Sequence, residues 1–320
     1  MKKGSLFLGI SFLCMVFCSC NTNEETPLET DEEVKTVSFT IGPMNEETGQ
    51  SCANGVSKDK VKHSWESNDV VGVFLSNAGQ VKFQMSGADG KTTANFAGNG
   101  LGLKVDNRFS AYYPYAATNN DARMLRFSYL GQKQQGTGEL VSKHLGSYAV
   151  MAASPVTANG QALNFTLNNV GAVMMLHLTM PEAATYTSAV LYTDAKVIPV
   201  RKTLDLQDAA LPQTTIELSD RLAIELQDVT TQTTDEELIL WIAFPAVAED
   251  AHTLKVVVYD EYGLAYSADV CKSDQVTVSD VVFKENTSYC RYASPVLTEG
   301  FNFGIGQWES DGKDHGGSIN

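Results

Sequence analysis

The chain of 320 residues carries 38 Asp and Glu against 23 Lys and Arg, a formal net charge of −15 at pH 7. Nucleic acid is not expected as a partner, because affinity for a phosphate backbone rests on clustered Lys and Arg. The acidic side chains are dispersed, with short runs only at Asp31-Glu32-Glu33 and Asp235-Glu236-Glu237, and the length suffices for two domains with their own cores.

Residues 1–19 read as a lipoprotein signal peptide. Lys2 and Lys3 form a positive head, an apolar run extends from Leu6 to Phe17, and the small residue Ser19 directly precedes Cys20. The run is too short for a permanent membrane span and is followed at once by polar Asn21-Thr22-Asn23-Glu24-Glu25. Cleavage before Cys20 makes it the mature N-terminus and the lipidation site, with each buried methylene of the acyl chains contributing ~0.8 kcal/mol to anchorage in a membrane. An ordinary secretion signal with incidental cysteines is the alternative. Cys14 and Cys18 would leave with the signal, so Cys52, Cys271 and Cys290 remain besides the lipid site. Cys271 and Cys290 could pair if their strands are neighbours, leaving Cys52 over; so sparse a set is no disulfide framework and has no zinc spacing.

Residues 20–34 are polar and acidic with one proline, Pro27, and read as a flexible tether. Alternation then predicts a strand over residues 34–41 that buries Val37, Phe39 and Ile41. Residues 42–62 lose this apolar content and read as a long loop. The grammar from Trp65 onward is that of short strands between Gly- and Asn-rich turns: 70–75 paired with 81–85 as a hairpin, an aromatic strand from Phe109 that Pro114 ends, 148–153 and 163–167. These short strands suggest a sandwich or barrel, and residues 35–167 are taken as an N-terminal β-sandwich.

The almost continuous apolar run of residues 170–180 marks the change to a C-terminal β-sandwich, residues 168–300. His177 lies in that run and is read as a core or edge histidine, with a metal or catalytic role as the minor alternative. The predicted strands that follow are 188–193, 197–206, 215–218, 222–226, 238–244, 254–259 and 264–268. The segment 238–244 is apolar at nearly every position, so it is expected to be a central strand ended by Pro245. A hairpin turn is expected around Asp260 to Gly263. Residues 301–320 form a Gly-rich tail whose large apolar side chains are Phe301, Phe303, Ile305 and Trp308.

No catalytic pattern stands out. There is no G-x-S-x-G, H-E-x-x-H or P-loop, and the histidines at 63, 144, 177, 252 and 315 share no local cluster. Neither an enzyme nor a cofactor or metal is expected.

Several short stations carry a family likeness: Cys20 with its signal, Trp65 through Asp69-Val70-Val71-Gly72-Val73-Phe74, Phe109 through Tyr112-Tyr113-Pro114-Tyr115, Leu163-Asn164-Phe165-Thr166-Leu167, Trp241 through Phe244-Pro245, and Gly304-Ile305-Gly306-Gln307-Trp308. In this order they resemble the fimbrillin-family lipoproteins of Bacteroidetes, the type V pilus subunits and their relatives. The acidic Glu24 and Glu25 similarly resemble the surface-export signal of such lipoproteins. The resemblance implies an all-β chain of two transthyretin-like β-sandwich domains in tandem. It also implies assembly with other fimbrial subunits, in which an arginine-specific protease removes the first strand and a donor strand from the next subunit fills the groove. The segment 34–41 would be that first strand.

This chain departs from the pattern, because no arginine lies between Cys20 and Arg108. Lys58 and Lys60 could serve another protease, or the strand and lipid are retained, as in an anchor or a standing surface protein. Strand removal further requires that 34–41 be paired inside the first domain. Adhesion to a surface receptor or glycan is the expected role. The alternative is a carbohydrate-binding outer-membrane lipoprotein, with Tyr112, Tyr113 and Tyr115 as the side chains that could stack on sugars, although core and edge packing is the plainer reading of that aromatic run.

Overall fold

Period-two alternation and β-branched runs dominate the sequence from Val34 onward, and the computed structural model turns them into strands. It describes residues 33–47, 64–75, 79–87, 90–98, 103–104, 107–137, 139–247, 252–272 and 278–298. The strands in chain order are β1 (Thr36–Ile41), β2 (Asn45–Glu46), β3 (Val70–Leu75), β4 (Gln80–Met85), β5 (Thr93–Gly98), β6 (Arg108–Tyr113), β7 (Leu125–Ser128), β8 (Gln132–Gln135), β9 (Met151–Thr157) and β10 (Ala162–Asn169). They continue as β11 (Ala172–Met180), β12 (Thr185–Tyr192), β13 (Ile198–Leu204), β14 (Gln213–Ser219), β15 (Arg221–Thr230), β16 (Glu236–Phe244), β17 (Lys255–Asp260), β18 (Ala265–Asp269), β19 (Thr287–Ala293) and β20 (Val296–Leu297). Helix among the described residues is confined to a 3-10 turn, Glu139–His144, and the single α-turn Leu145–Tyr148. The all-β expectation holds.

Seven strands close a barrel in the order β1-β10-β9-β6-β3-β4-β5. Its core is aromatic and branched, built on Phe39, Trp65, Phe83, Phe96, Phe109 and Phe165. The remaining strands form a four-stranded sheet β16-β11-β19-β2, a six-stranded sheet β20-β18-β17-β12-β15-β8, and a three-stranded sheet β14-β13-β7. A second core, centred on β11 and β16 and the inward faces of β12, β15 and β17, fills the space between the larger sheets. Three short strands from the first half of the chain, β2, β7 and β8, pair with strands of the second half.

The apolar run at residues 170–180 behaves as expected. β11 is buried along almost its whole length, between β16 on one side and β19 on the other. The turn expected near residue 260 is present, with Gly263 at φ 81° and the Asp260 carboxylate accepting the backbone N–H groups of Tyr262 and Leu264. β16 corrects an expectation. It is an edge strand of its sheet rather than a central one. Its apolar content has another cause: both faces are covered, and its outer edge is sealed by side chains. Gln134 donates to the carbonyl of Ile239 and accepts from the N–H of Trp241, Gln132 does the same for the carbonyl and N–H of Ala243, and His144 Nε2 lies 2.8 Å from the carbonyl of Trp241. A buried strand edge must have its polar groups satisfied, and here amides stand in for a neighbouring backbone.

Candidate functional site

β1 occupies the seam of the barrel. It pairs in parallel with β10, bringing Val37 beside Leu163, Phe39 beside Phe165 and Ile41 beside Leu167. On its other side it pairs antiparallel with β5, with Val37 opposite Phe96. The pairing that strand removal requires is therefore present, with Thr36–Ile41 held inside the barrel. The inward side chains Val37, Phe39 and Ile41 are buried as alternation predicts, and Phe39 has no exposed surface. Its ring stacks on Phe165 at 5.1 Å and meets Phe96 edge-on at 4.7 Å, while its carbonyl accepts a 3.0 Å hydrogen bond from the Trp65 indole N–H. The outward face is polar: Ser38 Oγ donates to Asn164 Oδ1, and the hydroxyls of Thr40 and Thr93 lie 2.9 Å apart. Burying an aromatic or branched side chain contributes roughly 1.5–3 kcal/mol, so three such residues make β1 a substantial part of the barrel core.

The chain leaving β1 runs on along the C-terminal sheet, with Pro43, Asn45 and Glu46 exposed on its outside. Gly42 lies so near the Asn168 side chain that a Cβ there would collide with it. Beyond it, Asn286 Nδ2 donates to the Pro43 carbonyl, the Asn45 N–H donates to the Asn286 carbonyl, and β2 runs parallel to β19, pairing Asn45 with Thr287 and Glu46 with Ser288. Glu47 then reaches Arg291, with Oε2 2.5 Å from Nη1 and Oε1 3.2 Å from Nη2. The Arg291 side chain is wholly buried and Glu47 is 25% exposed. Residues 36–47 thus close the barrel and continue as an added strand on the C-terminal sheet. The sequence hid this second half of the strap, because Asn45 and Glu46 carry no apolar signal and lie in what reads as loop.

The other singled-out residues sort by their surroundings. Tyr112 is buried, its hydroxyl donating to Gln80 Oε1 at 2.7 Å, and burial pushes its pKa up. The Tyr113 hydroxyl donates to Asp69 Oδ1 at 2.7 Å and its ring meets Trp65 edge-on at 5.4 Å; burial first, and then the Asp69 charge, holds its pKa far above the usual phenol range. These two are packing residues rather than a sugar platform. Tyr115 is half-buried, with Lys82 Nζ 6.0 Å from its ring centre. His177 is buried, as expected of a core or edge histidine, with Nδ1 2.7 Å from Glu237 Oε1 and its ring stacked on Tyr292.

Cys271 is a free thiol and Cys290 is disulfide-bonded, so the two do not pair with each other and the partner of Cys290 lies outside the described residues. Their strands offer the reason: Cys271 bridges Tyr292 while Cys290 faces Met175 of β11, so the two sulfurs are out of register. Cys20, Cys52, Lys58, Lys60 and the tail 301–320 also lie outside the described residues.

An open cleft of about 620 Å³ sits where β6 meets the turn after β13, lined by Arg108, Arg123, Asp205, Gln207, Asp208 and Ala209. Asp205 and Asp208 each spend one carboxylate oxygen on a backbone N–H of their own turn. Among the described residues no group of three or more His, Cys, Asp or Glu could hold a metal ion, and no helix is long and apolar enough to cross a membrane.

No family model and no curated protein matches the chain. Solved structures do resemble it. One is a candidate cell adhesion protein from Bacteroides uniformis, 15% identical, with 84% of this chain and 98% of that one covered at a TM-score of 0.49. Another is a candidate cell adhesion protein from Bacteroides ovatus, at 14% identity, 83% and 95% coverage and a TM-score of 0.45. A third is the tip fimbrial protein Mfa3 from Porphyromonas gingivalis with C-terminal truncation, at 12% identity, 76% and 84% coverage and a TM-score of 0.33.

Proposed function

We propose that this chain is a fimbrillin-like surface lipoprotein of two β domains in tandem, the first closed as a barrel rather than an open sandwich, anchored in the outer membrane through Cys20, and that it works as a fimbrial subunit, tip or anchor in adhesion. Its β1 seam is the assembly site. The observation that carries the reading is the way β1 is held. It is a single strand, supplied from the start of the chain and separated in sequence from the rest of the barrel, and its removal would open a slot lined by Phe96, Phe165, Trp65, Leu163 and Leu167. Such a slot offers two free strand edges and alternate apolar pockets, the two things an incoming strand needs.

The test is intact mass and N-terminal sequence of the protein taken from native cell surfaces. A lipid-free start beyond Ile41 supports a polymerising subunit and names the protease by its cut site. An acylated start at Cys20 supports the anchor role and removes strand exchange from this chain. A start before Cys20, with no lipid, overturns the lipoprotein reading.

A second reading, capture of carbohydrate at the surface, is favoured by the cleft that exposes Arg108 and Arg123 in an otherwise acidic protein. A polar cleft in which Arg108 and Arg123 stand with Asp205, Gln207 and Asp208 suits the hydroxyl groups of a saccharide. Retention on a glycan array that is lost in Arg108→Ala and Asp208→Ala would favour this reading over assembly.

A further inference from the structure

Arg291 makes the assembly site larger than the barrel seam. Its guanidinium lies 4.9 Å from the Tyr289 ring centre and 5.4 Å from that of Phe283, donates from Nε to Ser279 Oγ at 2.8 Å and from Nη1 to the Cys290 carbonyl at 2.9 Å, and meets the Glu47 carboxylate with both terminal nitrogens. An arginine cannot shed its proton to escape burial, so losing a bidentate carboxylate is costly there. Glu47 comes from the same strap as β1. A strand that leaves the seam together with residues 43–47 withdraws that carboxylate from Arg291 and uncovers the β19 edge.

We propose that Arg291 is a specificity-determining residue for strand insertion: it selects an incoming segment of another subunit that delivers a carboxylate as well as an alternating apolar pattern. This rests on the seam being the assembly site. The strap itself defines the required spacing, with apolar side chains at positions equivalent to 37, 39 and 41 and an acid at the position of Glu47, eight residues after Phe39. Between them, Gly42 leaves no room for a side chain and Met44 packs against the second core, whereas Pro43 and Asn45 are held through their backbones. Asn45 is held through its backbone N–H and carbonyl, and the Pro43 contact is also to a carbonyl. Glu47 is the charged contact by which the strap is read on β19, as Phe39 is the largest apolar contact by which it is read in the barrel.

The test uses the full mature chain with a specific protease site inserted between residues 48 and 63, cut in place, in reducing buffer that opens the Cys290 disulfide. Fluorescent peptides spanning residues 33–47 compete for the vacated site, read by anisotropy. Glu47→Gln in the peptide is expected to weaken binding about a hundredfold, and Glu47→Asp by less. On an Arg291→Met chain the gap between the native and Glu47→Gln peptides should shrink to within about threefold. If that chain does not fold, the comparison of peptides on the unmodified chain decides alone. Equal binding of the native and Glu47→Gln peptides overturns the role of Arg291 while leaving the seam reading intact. A Phe39→Ala peptide that binds as well as the native one, or a native peptide that does not bind, overturns the seam reading and the inference with it.

Discussion

The barrel and the C-terminal sheet close their vulnerable edges in opposite ways. Between β5 and β10 the gap is filled by a strand, β1, whose backbone satisfies both neighbours. Along the outer edge of β16 the gap is filled by the side chains of Gln132, Gln134 and His144. Both solutions satisfy buried backbone groups, but they differ in what can replace them. A seam filled by backbone can be refilled by any segment of suitable pattern. An edge filled by particular amides at particular heights is committed to them. Under the proposed assembly, β1 is the exchangeable edge and β16 the permanent one, and the two are distinguishable by what fills them.

The sharpest way to break this comparison is to weaken the seam filler. Phe39→Ala removes a fully buried ring that touches Phe165, Phe96, Phe83 and Trp65, and truncation of such a ring costs ~3–5 kcal/mol. Denaturant unfolding followed by tryptophan emission should show it, with Trp65 in the barrel as a local reporter. Ile216→Ala, on the exposed face of β14, should change stability by no more than ~0.5 kcal/mol. A loss below ~1 kcal/mol for Phe39→Ala would mean that β1 is not held by the barrel core.

The next largest effect is expected at the permanent edge. Gln134→Leu keeps the bulk but leaves the Trp241 N–H and the Ile239 carbonyl without their amide, which costs ~1–3 kcal/mol for a stranded buried group. Gln134→Glu separates the two bonds, since a carboxylate can still accept from Trp241 but cannot donate to Ile239. Hydrogen exchange at the Trp241 amide reads the result directly. If that amide stays as protected in Gln134→Leu as in the native chain, the edge is sealed by something other than this side chain.

The two edges were unequally legible in the sequence, for a physical reason. β1 announces itself, because Val37, Phe39 and Ile41 must alternate inward to fill the barrel. β11 does so too, since a strand covered on both faces must be apolar throughout. β8 is written Gln-Lys-Gln-Gln, a composition that reads as loop, yet Gln132 is 1% exposed and Gln134 not at all. Their burial follows from the edge they serve, and that edge lies more than a hundred residues further along the chain. The same blindness explains the misplaced centre at β16, whose apolar content reports its faces but not its hydrogen-bonding neighbours. It also explains Glu47 and Arg291, which lie 244 positions apart with no local spacing to connect them. Core faces are written locally, whereas seals and latches are written in pairs that only the fold brings together.

The outer face of β8 supplies the smallest effect and the control for the permanent edge. Lys133 alternates with Gln132 and Gln134, so it points to solvent, where its ammonium lies 2.7 Å from the carboxylate of Glu225 on the parallel strand β15. The hydrogen bond from Lys133 comes first among the causes that hold the Glu225 carboxyl below its ordinary pKa. A carboxylate whose pKa is depressed on folding contributes stability above its unfolded value, and that contribution is lost as the pH falls through the folded value. Lys133→Met should therefore leave the unfolding midpoint at neutral pH nearly unchanged, because an exposed pair is screened and entropically costly to hold. It should flatten only the acid limb of the stability profile, below the ordinary carboxyl value of 4.5. A Lys133→Met chain as unstable as Gln134→Leu at neutral pH would show that β8 is held by its solvent face, and the amide seal would lose its place as the reason this edge stays closed.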